Sequence, residues 1–150
     1  MKKRMGIMLL CAVMLLTGCA GFDPTTVYDN NRRIAGQSNT YNKVNYKQSQ
    51  KDNTYKISCE LFEGMDTIWN YNASEDMEMQ MEYTLTVESG KAKLVLISPD
   101  GEVETITEVT NENEVNDSVE VTLQLEEGEN RIKLVGGADS SVDLEMIFSE

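Results

Sequence analysis

From Met77 to Glu88 the chain alternates without a slip. Met77, Met79, Met81, Tyr83, Leu85 and Val87 fall on one side; Glu78, Gln80, Glu82, Thr84, Thr86 and Glu88 fall on the other. Side chains of an extended strand point to opposite faces in turn, so this period makes a strand with one buried and one wet face. A helix would scatter the same apolar residues around its circumference. A one-sided strand of this length commits the chain to a sheet whose buried face needs a second layer.

The rest of the second half reads the same way. Tyr55, Ile57, Cys59 and Leu61 alternate with Lys56, Ser58 and Glu60, a half-buried strand. Gly64 reads as an interruption, Thr67 to Tyr71 as a short strand with the single Trp, and Asn72 to Asp76 as a turn. Lys91 to Ile97 is apolar on both sides, as in a strand covered on both faces. Ser98-Pro99-Asp100-Gly101 is a turn, because Pro presets φ and Gly accepts a positive one. Val103 to Val109 is a weaker strand, and Thr110 to Ser118 a polar loop. Val119 to Leu125, Arg131 to Val135 and Val142 to Phe148 complete the set. Seven to nine strands with no helix between them predict an all-β, antiparallel β-sandwich over 55–150. The run from Val119 to Val135, with Gly128-Glu129-Asn130-Arg131-Ile132-Lys133 at its centre, resembles the closing hairpin of galactose-binding-like jelly rolls. The resemblance implies a jelly-roll sandwich and carries no ligand residues with it.

The first third has a different texture. Residues 20 to about 54 are rich in Asn, Gln, Thr, Ser, Lys and Tyr, without helical or strand period, and predict a flexible polar linker over 19–54. As a free coil it would span roughly 30–35 Å. Ahead of it, Lys2, Lys3 and Arg4 precede an apolar run from Met5 to Leu16, too short for a stable span. Leu16-Thr17-Gly18-Cys19 then resembles the lipobox of bacterial lipoproteins. That resemblance implies a signal peptide over 1–18, cleavage before Cys19, a diacylglyceryl group on its thiol, and a lipid-anchored protein on the extracytoplasmic face of a cell membrane.

Charge and composition exclude several function classes. The chain carries 13 cations and 26 anions, and residues 55–150 alone carry a net −18. Nucleic-acid recognition sets Lys and Arg against phosphate, so no nucleic-acid partner is expected. There is no His, which removes the commonest general base, the usual zinc ligand and the Ser-His-Asp arrangement. On the lipobox resemblance, Cys11 lies in the signal and Cys19 takes lipid. Cys59 then stands alone on an inward face, as a buried thiol.

The remaining constellations each have a plain and a chemical reading. Met77, Met79 and Met81 could offer thioethers to Cu(I), but Tyr83, Leu85 and Val87 continue the same face as core. Asp100, Glu108, Glu112, Glu114 and Asp117 could hold Ca²⁺, or be solvated surface charge. Trp69 and Tyr71 share one strand face. Stacked aromatics bind sugars; the alternative is a Trp packed between two sheets. Neither a metal nor a cofactor is expected. The reading that follows is a non-catalytic module binding a carbohydrate, a wall component or an envelope protein, with Trp69 and Tyr71 as ligand-binding candidates. A carboxylate-dependent hydrolase and a purely structural accessory subunit are the alternatives.

Overall fold

The structure, a computed structural model, describes residues 23–112 and 115–149. Residues 1–18, read above as a signal peptide, and Cys19 lie outside them. Ten strands follow in order: β1 (Thr40–Val44), β2 (Lys47–Lys51), β3 (Thr54–Cys59), β4 (Leu61–Ala73), β5 (Met77–Ser89), β6 (Lys91–Ile97), β7 (Val103–Thr110), β8 (Val115–Leu125), β9 (Gly128–Gly136) and β10 (Ser141–Ser149). They form two five-stranded antiparallel sheets, ordered β1-β4-β9-β6-β7 and β2-β3-β10-β5-β8. Leaving out β1 and β2, the orders 4-9-6-7 and 3-10-5-8 are those of an eight-stranded jelly roll, in which every connection except β6–β7 passes from one sheet to the other.

The error-free alternation of β5 survives intact. Met79, Met81, Tyr83, Leu85 and Val87 are buried, and meet Leu94, Leu96, Ile132 and Leu134 from the opposite sheet in the main core. The Met residues therefore pack as core side chains. Cys59 also lies there, its thiol donating to the Leu61 carbonyl at 2.8 Å. Burial pushes that thiol up from its ordinary value.

Several expectations change. Gly64 does not interrupt a strand: β4 runs straight through it. Its φ is +102°, and a Cβ there would lie 2.1 Å from the Thr40 carbonyl oxygen, so Gly is present because β1 approaches too closely for any side chain. The segment Val119–Val135 is not a hairpin either. β8 pairs with β5 at the edge of one sheet, and β9 sits between β4 and β6 in the other. Leu123 and Leu125 must enter the core from one side, Ile132 and Leu134 from the other, so the turn between them arches across the sandwich. Asn130 holds that arch, its buried amide donating to the Glu126 carbonyl at 2.7 Å and the Gly128 carbonyl at 3.0 Å. Part of the polar run 110–118 also pairs, Val115 opposite Leu85, because an edge strand needs only its backbone.

The largest change concerns the linker. From Pro24 onward it belongs to the fold. A 3-10 turn (Pro24–Val27), its first N–H capped by Asp23, leads to a one-turn helix α1 (Asn31–Ile34) capped by Asn30. Val27, Tyr28 and Ile34 are buried against Met65, Val95, Ile97 and Val135, a second core on the outer face of the β4-β9-β6 sheet. This explains why β6 is apolar on both sides: Leu94 and Leu96 face the main core, Val95 and Ile97 the second one. The chain then returns as β1 along β4, and adds β2 to the edge of the other sheet. Every β2 side chain is exposed, and its Lys-Gln-Ser-Gln-Lys sequence protects an open sheet edge. Average composition conceals such an element.

The strap formed by 24–39 is tied down by two cations of β9. Arg131 donates to the carbonyls of Ala35 (2.7 Å) and Gly36 (3.0 Å); Lys133 donates to those of Gly36 (2.7 Å) and Ser38 (3.0 Å). Lys133 is fully buried. Burial first, and Arg131 second, bring its ammonium down to about 8 from 10.5. A neutral amine still has two N–H groups for its two carbonyls. Between pH 8 and 10.5 the folded chain thus releases a proton that the unfolded chain keeps, and stability rises with pH by up to about 1.4 kcal/mol per unit. Cys59 and Tyr28 work in the opposite sense. Both are pushed up mainly by burial, and stability from their neutral forms is lost above their ordinary values of 9.0 and 10.0. The urea midpoint is expected to climb from pH 8 to about 9 and to fall beyond 10. A midpoint falling steadily from pH 8 would contradict the buried-lysine assignment.

Candidate functional site

β1 begins at Thr40, opposite Met65, so β4 from Asp66 to Ala73 has a partner strand, β9, on one side only. A register shift between Thr67 and Trp69 lets both Ile68 and Trp69 turn inward there. The gap opens a cavity of about 150 Å³ between the two sheets. Trp69 and Tyr71 of β4 form one wall, Tyr55 of β3 and Phe148 of β10 another, and Met79 of β5 also lines it. Asn53, Asn70 and Ser149 add neutral polar groups, and among the described residues no carboxylate lines the cavity.

The rings are tightly organised. Trp69 stacks on Phe148 with centroids 4.6 Å apart and planes 7° from parallel. Tyr71 stacks on Trp69 at 5.8 Å and 5°. Tyr55 meets Phe148 edge-on at 5.5 Å, and its hydroxyl accepts from the Gln50 amide at 2.8 Å. Trp69 is only 6% exposed and belongs to the main core. It backs the site, while the half-buried Tyr71 carries the accessible ring surface. The structure thus places Trp69 and Tyr71 side by side, but in different roles. Tyr55, Phe148 and Asn53 were not singled out in the sequence. The first two are inward positions on strands nearly a hundred residues apart, and nothing short of strand order brings them together. Asn53 fell within the presumed linker.

The other candidates are separated. Asp100 sits in the β6–β7 turn, accepting from the Ser98 hydroxyl and the Glu102 N–H, which hold its carboxyl below the usual range. Glu108 is taken by the Tyr28 hydroxyl at 2.9 Å. Glu114 lies outside the described residues. Among the described residues, no group of three or more His, Cys, Asp or Glu side chains could hold a metal ion.

Two shallower openings exist. One, of about 480 Å³, lies on the uncovered face of the β2-β3-β10-β5 sheet among Lys47, Ser49, Lys56, Thr84, Asp143 and Glu145. The other, of about 670 Å³, lies at the same end of the sandwich as the aromatic cavity. Asp76, Glu78, Glu102, Glu104 and Glu126 surround it over Leu96 and Leu125.

No family model matches the chain, and no curated protein matches it. Solved structures do overlap it. An exo-beta-1,3-galactanase from Phanerochaete chrysosporium, solved with galactose, is 18% identical over 75% of this chain, with a TM-score of 0.39. This chain spans 29% of that enzyme's length. A family 29 carbohydrate-binding module complexed with mannohexaose is 11% identical over 75% of this chain and 82% of its own, with a TM-score of 0.40. The cycloalternan-forming enzyme of Listeria monocytogenes, with a pentasaccharide substrate, is 14% identical over 73% of this chain and 11% of its own, at 0.42. The assignment of this chain as an all-β jelly-roll sandwich stands on its own strand order.

Proposed function

We propose that this chain is a non-catalytic carbohydrate-binding module, held on the extracytoplasmic face of a membrane by a lipid on Cys19. The observation that carries the binding half is the aromatic-walled cavity at the open corner of β4. Sugar rings present apolar C–H faces edged with hydroxyls. Tyr71 offers a ring face for the first, and Asn53, Asn70 and Ser149 offer neutral donors and acceptors for the second. Its volume is well under the roughly 300 Å³ at which drug-sized pockets begin, and suits a single sugar unit. Among the described residues no carboxylate lines the cavity; those residues supply the parts to hold a sugar, not the paired acids that cleave a glycosidic bond. The lipid half rests on Leu16-Thr17-Gly18-Cys19.

A glycan array probed with residues 20–150 tests the reading. Bound sugar should quench or shift the emission of Trp69, the single Trp. Tyr71→Ala should weaken binding by roughly ten- to a hundredfold, the equivalent of about 1.4–2.8 kcal/mol, while the melting transition stays cooperative. Binding untouched by Tyr71→Ala would remove this site. The hydrolase alternative has one observation in its favour, the five-carboxylate opening beside β7. Turnover of a glycan, lost in Glu102→Gln with folding intact, would promote it. A blank array with one envelope protein recovered in pulldown would favour the accessory-subunit reading.

A further inference from the structure

We infer that the anchored domain stands end-on at the membrane, with the aromatic cavity turned away from the bilayer. The inference deepens the proposed function and rests on lipidation of Cys19. Its first support is where the chain joins the fold. Pro24 packs beside Gly64, its Cβ 3.0 Å from where a Gly64 side chain would begin. Gly64 pairs with Gly136 in β9, and Gly136 with Ala92 at the start of β6. That end of the sandwich is therefore where the chain enters. Residues 20–22 are all that separate Cys19 from Asp23, and however they run, Cys19 and Asp23 are at most about 14 Å apart. Tyr71 lies seven residues further along β4, roughly 20 Å along the strand from the point of attachment. A 35-residue coil would leave the height of the domain above the anchor open; a separation of at most about 14 Å keeps Asp23 near it.

The second support is charge. Four turns close the far end, after β2, β4, β6 and β8. The first holds Lys51 and Asp52; the other three hold Glu75, Asp76, Asp100, Glu102, Glu126 and Glu127, and residues 72–77, 98–102 and 125–130 include no Lys or Arg. An anionic leaflet repels this end more than the opposite one, where Lys47 and Lys91 stand beside Glu60, Glu88 and Asp139, and Lys43 pairs with Asp66. Tether length and field select the same orientation, in which the cavity faces whatever sugars lie beyond the membrane.

The test uses full-length protein purified from membranes and reconstituted in vesicles of phosphatidylcholine and phosphatidylglycerol with an energy-transfer acceptor on the headgroups. Donor dyes are placed at Lys47→Cys or Glu75→Cys; Cys59 is buried and does not label. Transfer is expected to be several-fold stronger from position 47 than from 75. A 20-residue Gly-Ser insertion before Asp23 should erase the difference. Equal transfer without the insertion, or stronger transfer from 75, overturns the orientation and leaves the anchor standing. Wild-type protein that fails to float with vesicles overturns the anchor, and the orientation with it.

Discussion

Residues 54–150, expressed alone, are expected to lose cooperative unfolding. They contain all eight jelly-roll strands, and by sequence pattern they look like an independent domain. The second core shows otherwise. Val27, Tyr28 and Ile34 are buried on the outer face of β4, β9 and β6. At about 1.5–3 kcal/mol for each large apolar side chain, their removal forfeits roughly 5–9 kcal/mol. That is comparable to the whole stability of a typical domain, about 5–15 kcal/mol. Met65, Val95, Ile97 and Val135 would also face water as one apolar patch. Arg131 and Lys133 contribute less to the loss, because water replaces the carbonyls they give up. The truncation also strips β1 from β4 and β2 from β3, leaving two new bare edges. A sharp thermal transition in 54–150 at the temperature of 20–150 would show that the strap is decoration.

Gly64→Ala is expected to cost about 3–5 kcal/mol and to abolish folding if the domain is of ordinary stability. Two independent penalties coincide there. A φ of +102° is strained for any residue with a Cβ, by about 1–3 kcal/mol. The added methyl would also meet the Thr40 oxygen at 2.1 Å and the Tyr41 Cα at 2.9 Å. Both are backbone atoms of β1 and cannot rotate away, so the strand itself must shift, adding an overpacking penalty of about 1–3 kcal/mol. Gly101→Ala is the control. Its φ is +88°, but the nearest atom to a new Cβ is 4.0 Å away, so only the strain term applies. Equal urea midpoints for the two variants would mean that β1 does not pack on Gly64.

The particular residues that were legible in the sequence are those whose side chains carry the pairing information. β5 could be read from one end to the other because every second residue is buried. β6 announced a cover on both faces, although not what the cover was. The strap and β2 left no such trace. Val27, Tyr28 and Ile34 do their work through a 3-10 turn and a single helical turn, too short for any period to show. β2 is held mainly by its backbone pairing with β3, and its five exposed polar side chains look the same as a linker's. The aromatic site was half visible for a related reason. Trp69 and Tyr71 are neighbours along one strand, whereas Phe148 and Tyr55 join them only through the register of β10 on β3, in which Met146 lies opposite Tyr55.

Membership of the first third in the folded unit is the claim on which the anchor geometry and the truncation both depend. Native-state hydrogen exchange on residues 20–150 tests it most directly. The hydrogen-bonded amides of β1, and that of Ile34, which donates to the Asn30 carbonyl at 3.0 Å, should open with free energies close to those of β4. Exchange of residues 24–44 at the rate of an unprotected peptide, beside a protected β5, would contradict it.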